Sequence, residues 1–429
     1  MTEDQEMQSP RTANCLTFRC SSLLLIVAVS SLATLVRAEP DEGVLGKAQG
    51  YPVGTTIHNW QETPYRVGSL SALDKVPGLL TSPVQHSTTP VALSKAAQTP
   101  PISYRYGFFG YTLDEYLDRT RATGLLILKN GEIVAERYRY GRTEDARFLS
   151  FSMAKSVTSM LIGIAVSRGA IASLDDLAGK YAKELAGSPY GETSIRHLLR
   201  MSSGLTFSER YDGQDDVARL KQAKLTGTPD VVSFLRSITN RHAPAGQTFT
   251  YASAETEVLG RVLKAATGRS MAALTAEWLW QPIGAEHDAF WLTDLDHQEF
   301  AYAGFNASLR DWGRLGLLLA NDGKVGDHQV VPRDYLLDAT ELSRQPTTFV
   351  PIVPRLRYGY GYQFWLLPMR ERTFRMDGLY GQAVFVQPST GIVMVQTAAW
   401  DGNKIESYME RDALWMGVLK ALGGKTDEY

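Results

Sequence analysis

The apolar residues that follow Ser152 recur at helical spacing, and this stretch organises the rest of the chain. The helical periodicity extends over five apolar positions, Val157, Met160, Leu161, Ile164 and Ala165. Gly169 marks the expected end of the helix. The pattern therefore predicts a helix that begins near Ser152, and it places Lys155 one turn further along the same face.

Runs of apolar residues predict strands on both sides of a mostly helical middle. The apolar segments 124–128 and 132–138 flank Asn130-Gly131, which is a strong signal for a hairpin. Further strands are predicted over three segments near the C-terminus, 358–365, 383–386 and 392–395. Helices are predicted over 113–120, 230–239, 255–267, 271–280, 308–321 and 405–422, and another is predicted to start at Ser194.

This order of elements indicates a fold of the α+β class. Strands lie before and after a helical insert that covers about residues 172–300. Such an order implies one antiparallel sheet that is closed by both ends of the chain and flanked by helices.

The first 112 residues lack this periodicity and divide into two parts. Residues 1–38 are typical of a signal peptide, because Arg11 and Arg19 precede the apolar run 23–29 and Ala38 ends a small-residue cleavage site. We expect cleavage after Ala38 and a periplasmic or secreted protein with no membrane partner. An uncleaved anchor remains the alternative, because acidic residues lie ahead of the run. Residues 39–112, rich in Gly, Pro, Ser and Thr up to about residue 101, are predicted to form an extended arm.

The composition excludes several classes of function. The formal net charge is −2, which gives no support for a nucleic-acid partner. Both cysteines, Cys15 and Cys20, lie in the leader, so the mature chain would have no disulfide, thiol nucleophile or cysteine metal site. No serine stands in a Gly-x-Ser-x-Gly motif, and the histidines lack zinc-ligand spacing. We expect neither a metal nor a cofactor.

Ser152 and Lys155 form the only Ser-x-x-Lys motif of the chain. A serine hydroxyl becomes a good nucleophile when a neighbouring group takes its proton. A lysine one turn away can do this if burial keeps its amine neutral. The helix N-terminus favours a developing oxyanion. The alternative interpretation is a serine that caps the helix beside a solvated lysine.

Two further stretches supply candidate partners for this serine. Tyr251-Ala252-Ser253 lies between a loop and a predicted helix, and it is the only Tyr-x-Ser or Tyr-x-Asn in the chain. Residues 376–383 place glycines at the start of a strand, where Gly378 would allow close approach of a backbone N–H to a bound carbonyl. A buried structural tyrosine and a glycine-rich strand turn are the alternatives.

Together, the three motifs resemble those of the serine β-lactamase and penicillin-binding-protein superfamily. Within it, the chain is similar to class C-related serine hydrolases, whose second motif is Tyr-x-Asn or Tyr-x-Ser, and to the 6-aminohexanoate-dimer hydrolases among them. The resemblance covers residues 113–422. It implies a β-lactamase/transpeptidase-like domain over residues 113–429, with an all-helical inserted subdomain.

The resemblance also implies a role for each candidate residue. Ser152 would be the acylated nucleophile, and Lys155 and Tyr251 would share the general base and acid work. The backbone N–H groups of Ser152 and Leu379 would form the oxyanion hole. Tyr211 falls where these relatives carry a tyrosine that covers the substrate, and Gly378 would adjoin the substrate.

The implied function is hydrolysis of a small-molecule amide or ester through an acyl-serine intermediate. The chain departs from the β-lactamase pattern, since it carries Met376-Asp377-Gly378 where β-lactamases carry Lys-Thr-Gly. The missing cation and the charge of Asp377 argue against efficient β-lactam cleavage, unless Arg375 compensates. The alternatives are β-lactamase or D-Ala-D-Ala peptidase activity, and a binding or sensor module without turnover.

Overall fold

The computed structural model describes residues 42–351 and 357–428, and these belong to one compact unit, Ala38–Tyr429. The strands are, in chain order, β1 (Leu80–Val84), β2 (Ser103–Tyr106), β3 (Phe109–Thr112), β4 (Ala122–Lys129), β5 (Glu132–Tyr138), β6 (Phe148–Leu149), β7 (Ala289–Thr293), β8 (Phe305–Ala307), β9 (Lys324–Val325), β10 (His328–Gln329), β11 (Gly359–Tyr360), β12 (Trp365–Leu366), β13 (Phe374–Gly378), β14 (Gln382–Gln387) and β15 (Ile392–Ala398). The helices are α1 (Thr63–Ser69), α2 (Leu113–Arg119), α3 (Met153–Ser167), α4 (Ala178–Tyr181), α5 (Ile195–Leu199), α6 (Asp216–Thr226), α7 (Val231–Ser237), α8 (Ser253–Thr267), α9 (Met271–Thr275), α10 (Leu309–Ala320), α11 (Arg333–Thr340) and α12 (Ile405–Ala421).

Strands from before and after the helical insert meet in one large antiparallel sheet, as predicted. Within the described residues, this sheet has seven strands in the order β11-β12-β13-β14-β15-β4-β5. The late strand β15 pairs with the early strand β4, with Met394 opposite Ile127. The predicted hairpin is confirmed, since β4 pairs with β5 across Asn130-Gly131. The α+β class is thereby confirmed.

The near-continuous apolar composition of the central strands follows from burial on both faces. In β4, Leu126 and Leu128 join one hydrophobic cluster, whereas Leu125 and Ile127 join a second cluster. Successive side chains of a strand point to opposite faces of the sheet. The first cluster includes much of α3, α8 and α10, and the second contains α2 and α12. The sheet is therefore covered by helices on both sides.

The structure contains a second sheet that the sequence pattern did not predict. Its strand β6 directly precedes helix α3 in the chain. Its four strands, in the order β1-β7-β8-β6, come from distant parts of the chain. Two of them have only two or three residues, too few to show an alternating pattern. Strand β7 falls inside the range 172–300 that was expected to be all helical, so the helical part of the insert ends before Ala289.

The segment predicted as an extended arm contains regular structure among its described residues. It includes α1, the strand β1 and the hairpin of β2 and β3. Strand β1 pairs with β7 along its whole length, with Leu80 opposite Thr293. The segment is therefore built into the second sheet. The division of the chain at residue 112 stays a prediction.

The predicted helices are present, most of them with shifts of at most two residues at their ends. The predicted helix 271–280 is α9 followed by one π-helical turn. Helix α6 was missed, although it has a capping Asp215 and a left-handed Gly227 at its end, because its polar and apolar residues mix. The predicted strand 358–365 is divided into β11 and β12.

Some predictions fall outside the described residues. The signal peptide 1–38, with Cys15 and Cys20, is among them. In the part of the chain that the structure covers, no helix combines the length and the apolar composition needed to span a membrane.

Candidate active site

The turn that presents Ser152 is strained and is held by contacts from several elements. Phe151 has a φ of 43°, in the left-handed region that is unfavourable for a bulky side chain. Its ring stacks on Trp60 with centroids 6.3 Å apart and meets the Tyr380 ring edge-on at 5.3 Å. The Ser150 N–H donates to the carbonyl of Phe305 at 2.8 Å. These contacts hold Ser152 at the start of α3.

The hydroxyl of Ser152 is hydrogen-bonded to Lys155, one helical turn further along. The Nζ of Lys155 lies 2.8 Å from the Oγ of Ser152 and also donates to the carbonyl of Tyr302 at 3.1 Å. Lys155 is only 1% exposed, and the Ser152 side chain makes no capping hydrogen bond. The alternative of a capping serine beside a solvated lysine is therefore wrong.

The surroundings of Lys155 favour its neutral form. Burial lowers the pKa of its amine to about 8, and the carboxylate of Glu209 opposes this shift. The amine faces the ring of Tyr251, with Nζ 4.9 Å from the ring centroid. A substantial fraction of an amine with such a pKa is neutral at slightly alkaline pH and can accept a proton.

Tyr251 lies beside Ser152, and its ring faces the amine of Lys155. Its ring stacks on Trp365 at 5.5 Å and meets Tyr360 edge-on at 6.2 Å. Burial and the nearby Glu209 carboxylate raise the pKa of Tyr251 well above its ordinary value. The phenol therefore keeps its proton at neutral pH and suits the part of a proton donor.

Glu209 is a residue of the site that the sequence analysis missed. Its carboxylate accepts hydrogen bonds from the Ser253 N–H at 2.7 Å and the Ser253 hydroxyl at 2.8 Å. It also accepts from the hydroxyl of Tyr211 at 2.6 Å. The third residue of the Tyr-x-Ser motif thus ties the start of α8 to the loop that carries Tyr211. No local pattern marks Glu209, because its partner in the Tyr-x-Ser motif, Ser253, lies 44 positions away.

Gly378 allows the end of β13 to pack closely against the turn that precedes Ser152. A Cβ atom at this position would lie 2.2 Å from the carbonyl oxygen of Ser150, so only glycine allows this approach. The next residue, Leu379, and Ser152 line the same cavity. Gly378 itself is buried and is not among the residues that line this cavity. Its contact with substrate stays a prediction.

A cavity of about 410 Å³ opens beside Ser152. Of the predicted site residues, Ser152, Leu379 and Tyr211 line it, whereas Lys155 and Tyr251 do not. Tyr211 is 41% exposed, a position from which a side chain can cover a bound molecule. The wall is mainly apolar, with contributions from Trp60, Leu149, Phe151, Val217, Leu225, Leu292 and Phe300. Trp60 belongs to the N-terminal segment, which therefore forms part of the cavity.

The carboxylate of Asp377 is neutralised by buried arginines. Arg411 binds it through two nitrogens at 3.0 and 2.9 Å, and the Nε of Arg375 lies 2.8 Å from it. Arg375 also bonds Asp412 at 2.8 Å and is 2% exposed. Arg375 is thus committed to structural pairs and is not the compensating cation that the sequence suggested. In the described residues, no cluster of three or more histidine, cysteine or acidic side chains is arranged to hold a metal ion.

The chain is similar in sequence to known proteins. The sequence model of the Beta-lactamase family matches residues 112–413. The 6-aminohexanoate-dimer hydrolase of Paenarthrobacter ureafaciens is 26% identical over 364 residues, which cover 83% of this chain and 90% of that protein. The family match, over residues 112–413, includes every predicted site residue.

Solved structures share the fold. A Bacillus anthracis protein assigned as a 6-aminohexanoate-dimer hydrolase superposes with a TM-score of 0.78 at 25% identity, over 86% of this chain and 97% of that one. A penicillin-binding protein homologue from Pyrococcus abyssi superposes with a TM-score of 0.55 at 17% identity, over 73% and 76% of the two chains. The second likeness concerns the fold alone.

Proposed function

The chain belongs to the Beta-lactamase family and is a serine hydrolase of amide or ester bonds, and from this premise we propose that Ser152, Lys155 and Tyr251 carry its reaction. The observation that carries the proposal is the Ser152 Oγ, bonded at 2.8 Å to a buried Lys155 whose pKa is near 8. A hydroxyl with such a partner can lose its proton as it attacks a carbonyl.

The proposed reaction begins when the neutral Lys155 amine takes the Ser152 proton and Oγ bonds to the substrate carbonyl carbon. The backbone N–H groups of Ser152 and Leu379 stabilise the oxyanion. Tyr251 then protonates the leaving nitrogen or oxygen as its bond to carbon breaks, and the Lys155 ammonium returns a proton to Tyr251. Water attacks the acyl-serine by the same steps, which releases the acid and free Ser152.

Trapping of the intermediate tests this function. The purified protein would be mixed briefly with p-nitrophenyl butyrate, quenched in acid and digested. We expect a butyryl mass on the peptide that contains Ser152, together with steady release of p-nitrophenol. A binding or sensor module without turnover would release no p-nitrophenol, and an acyl group on another serine would contradict the assignment.

The rate should increase with pH. Because burial lowers the pKa of Lys155 to about 8 and the neutral amine is the base, kcat/KM is expected to rise with an apparent pKa near 8 and then level off. The measurement is kcat/KM for a p-nitrophenyl ester between pH 6 and 9.5, corrected for spontaneous hydrolysis. A flat profile over this range would show that Lys155 is not the titrating base.

The substrate class follows from the third motif and from the relatives. Met376 is fully buried and Asp377 is paired with Arg411, so this segment offers no cation to the carboxylate of a β-lactam. We expect kcat/KM for a p-nitrophenyl ester to exceed that for nitrocefin. Membership of the family does not imply β-lactam cleavage, since one fold serves many reactions. A higher kcat/KM for nitrocefin would contradict this prediction. The name of the Paenarthrobacter ureafaciens relative, 6-aminohexanoate-dimer hydrolase, favours a natural substrate in which an amide bond joins two small acid units.

We also propose that the protein is exported and cleaved after Ala38, so that it acts in the periplasm or outside the cell. The support is the basic and then apolar sequence of residues 11–38. Mass spectrometry of the exported protein should find Glu39 at the N-terminus. A retained apolar run would instead indicate a membrane anchor.

A further inference from the structure

Among the described residues, four charged side chains line the cavity. Three of them already have hydrogen-bond or ion-pair partners. Glu209 accepts from Ser253 and Tyr211. Asp215 accepts backbone N–H groups of Arg210, Tyr211 and Ala218 at the start of α6. Arg210 pairs with Asp212 at 2.8 Å. The fourth, Lys221, is different.

Lys221 has no carboxylate within 4.0 Å among the described residues. Its one polar contact is between Nζ and the side-chain oxygen of Gln61, at 3.4 Å. The residue is exposed in the cavity, yet the surrounding wall partly desolvates its amine and lowers its pKa. A partly desolvated cation without an acidic partner is stabilised by an incoming anion.

Lys221 lies on a face of α6 whose other cavity-lining residues are apolar. Val217, Ala218, Lys221 and Leu225 occupy one face of the helix and all line the cavity. Lys221 lies about 9 Å along the helix axis from Asp215, at a rise of 1.5 Å per residue. Trp60, Leu292 and Phe300 continue the apolar wall. The cavity therefore offers a reactive serine, an apolar wall and a separate unpaired cation.

We propose that Lys221 is an anion subsite, and that the cavity takes an amide or ester whose carboxylate is separated by an apolar chain from the bond that is cleaved. This deepens the proposed function and rests on it for turnover. The subsite replaces, at another place in the fold, the cation that the Met376-Asp377-Gly378 segment lacks. Gln61 of the N-terminal segment would orient the Lys221 amine toward the cavity.

Matched pairs of esters test the subsite. In the first pair, mono-p-nitrophenyl adipate carries the carboxylate on the acyl chain, and its methyl ester is the neutral counterpart. In the second pair, the carboxylate is on the leaving group, as in 4-carboxyphenyl hexanoate and its methyl ester. We expect Lys221→Met to lower the anionic-to-neutral ratio of kcat/KM about tenfold in one of the pairs, mainly through KM. Lys221→Glu should lower that ratio further, and salt should reduce it in the wild type.

The matched control is Lys264→Met, which removes an exposed lysine of α8 that does not line the cavity. It should leave the ratio within twofold of the wild type in both pairs. A ratio that is equally unchanged in Lys221→Met, in both pairs, would overturn the proposal.

Binding separates failure of the subsite from failure of the hydrolase function. Calorimetric titration with adipate requires no turnover, and Lys221→Met should weaken adipate binding about tenfold relative to the wild type and to Lys264→Met. Equal affinities of the three proteins would overturn the subsite, even if the esters are hydrolysed. If the wild type hydrolysed no ester but its affinity for adipate still depended on Lys221, the proposed hydrolase function would be refuted. The anion subsite would then still be supported.

Discussion

Ser152→Ala is expected to reduce ester and amide hydrolysis to the background rate and to abolish labelling by a fluorophosphonate. The reason is that, in the part of the chain that the structure describes, Ser152 carries the one hydroxyl that is hydrogen-bonded to Lys155, whose buried amine lies 2.8 Å from the Ser152 Oγ. Lys155→Met should have nearly the same effect, because residues that act as one catalytic unit lose activity non-additively. Mass spectrometry of the labelled peptide and initial rates with p-nitrophenyl butyrate are the measurements.

The fold should survive the loss of this hydroxyl. Ser152 makes no capping hydrogen bond, so the free energy of unfolding should change by about 1 kcal/mol or less. Ser167→Ala, which removes an exposed hydroxyl at the other end of α3, is the matched control and should keep wild-type activity. Full activity of Ser152→Ala, or a label on another serine, would contradict the assignment of the nucleophile.

Tyr251→Phe is expected to lower kcat by about 10²–10⁴-fold, the usual contribution of a positioned general acid or base. The phenylalanine ring keeps the stacking on Trp365, so the loss is confined to the phenolic hydroxyl that lies beside Ser152. KM should change little, because Tyr251 does not line the cavity. The measurement is kcat and KM for an ester and for an anilide, whose leaving group needs protonation more.

The neighbouring tyrosine gives a control for this substitution. Tyr360 is buried in the same aromatic cluster, with its ring 6.2 Å from that of Tyr251. Tyr360→Phe should keep kcat within a few fold of the wild type. If Tyr251→Phe were equally active, Tyr251 would be a structural tyrosine at the start of α8, and the proton donor would have to be sought elsewhere.

Local sequence determined the features of this protein whose causes are local. The apolar periodicity after Ser152 predicts α3, and the Asn130-Gly131 turn predicts the hairpin of β4 and β5, because both signals lie within one element or its turn. The spacing of Ser152 and Lys155 places them one helical turn apart whatever surrounds them. The apolar strands at both ends of the chain were enough to predict the large sheet.

Only the tertiary structure decided the electrostatics of the site. The pKa of Lys155 depends on its burial, at a place where its amine also reaches the carbonyl of Tyr302, 147 positions later. The pKa of Tyr251 depends on burial and on Glu209. By sequence alone Asp377 is a free anion, whereas in the fold Arg411, 34 positions later, neutralises it. Desolvation and ion pairing depend on what the fold brings within a few ångströms, which spacing in one segment does not record.

The tertiary structure also decided the shape of the cavity. The second sheet joins strands of two to five residues, too short for periodicity, and it builds the N-terminal segment into the site. Trp60 of this segment stacks on Phe151 and lines the cavity, and β1 of the same segment pairs with β7. The pairing of Ser152 with Lys155 could thus be predicted from the sequence of one helical turn. The wall of the cavity, in contrast, arises from contacts between distant segments.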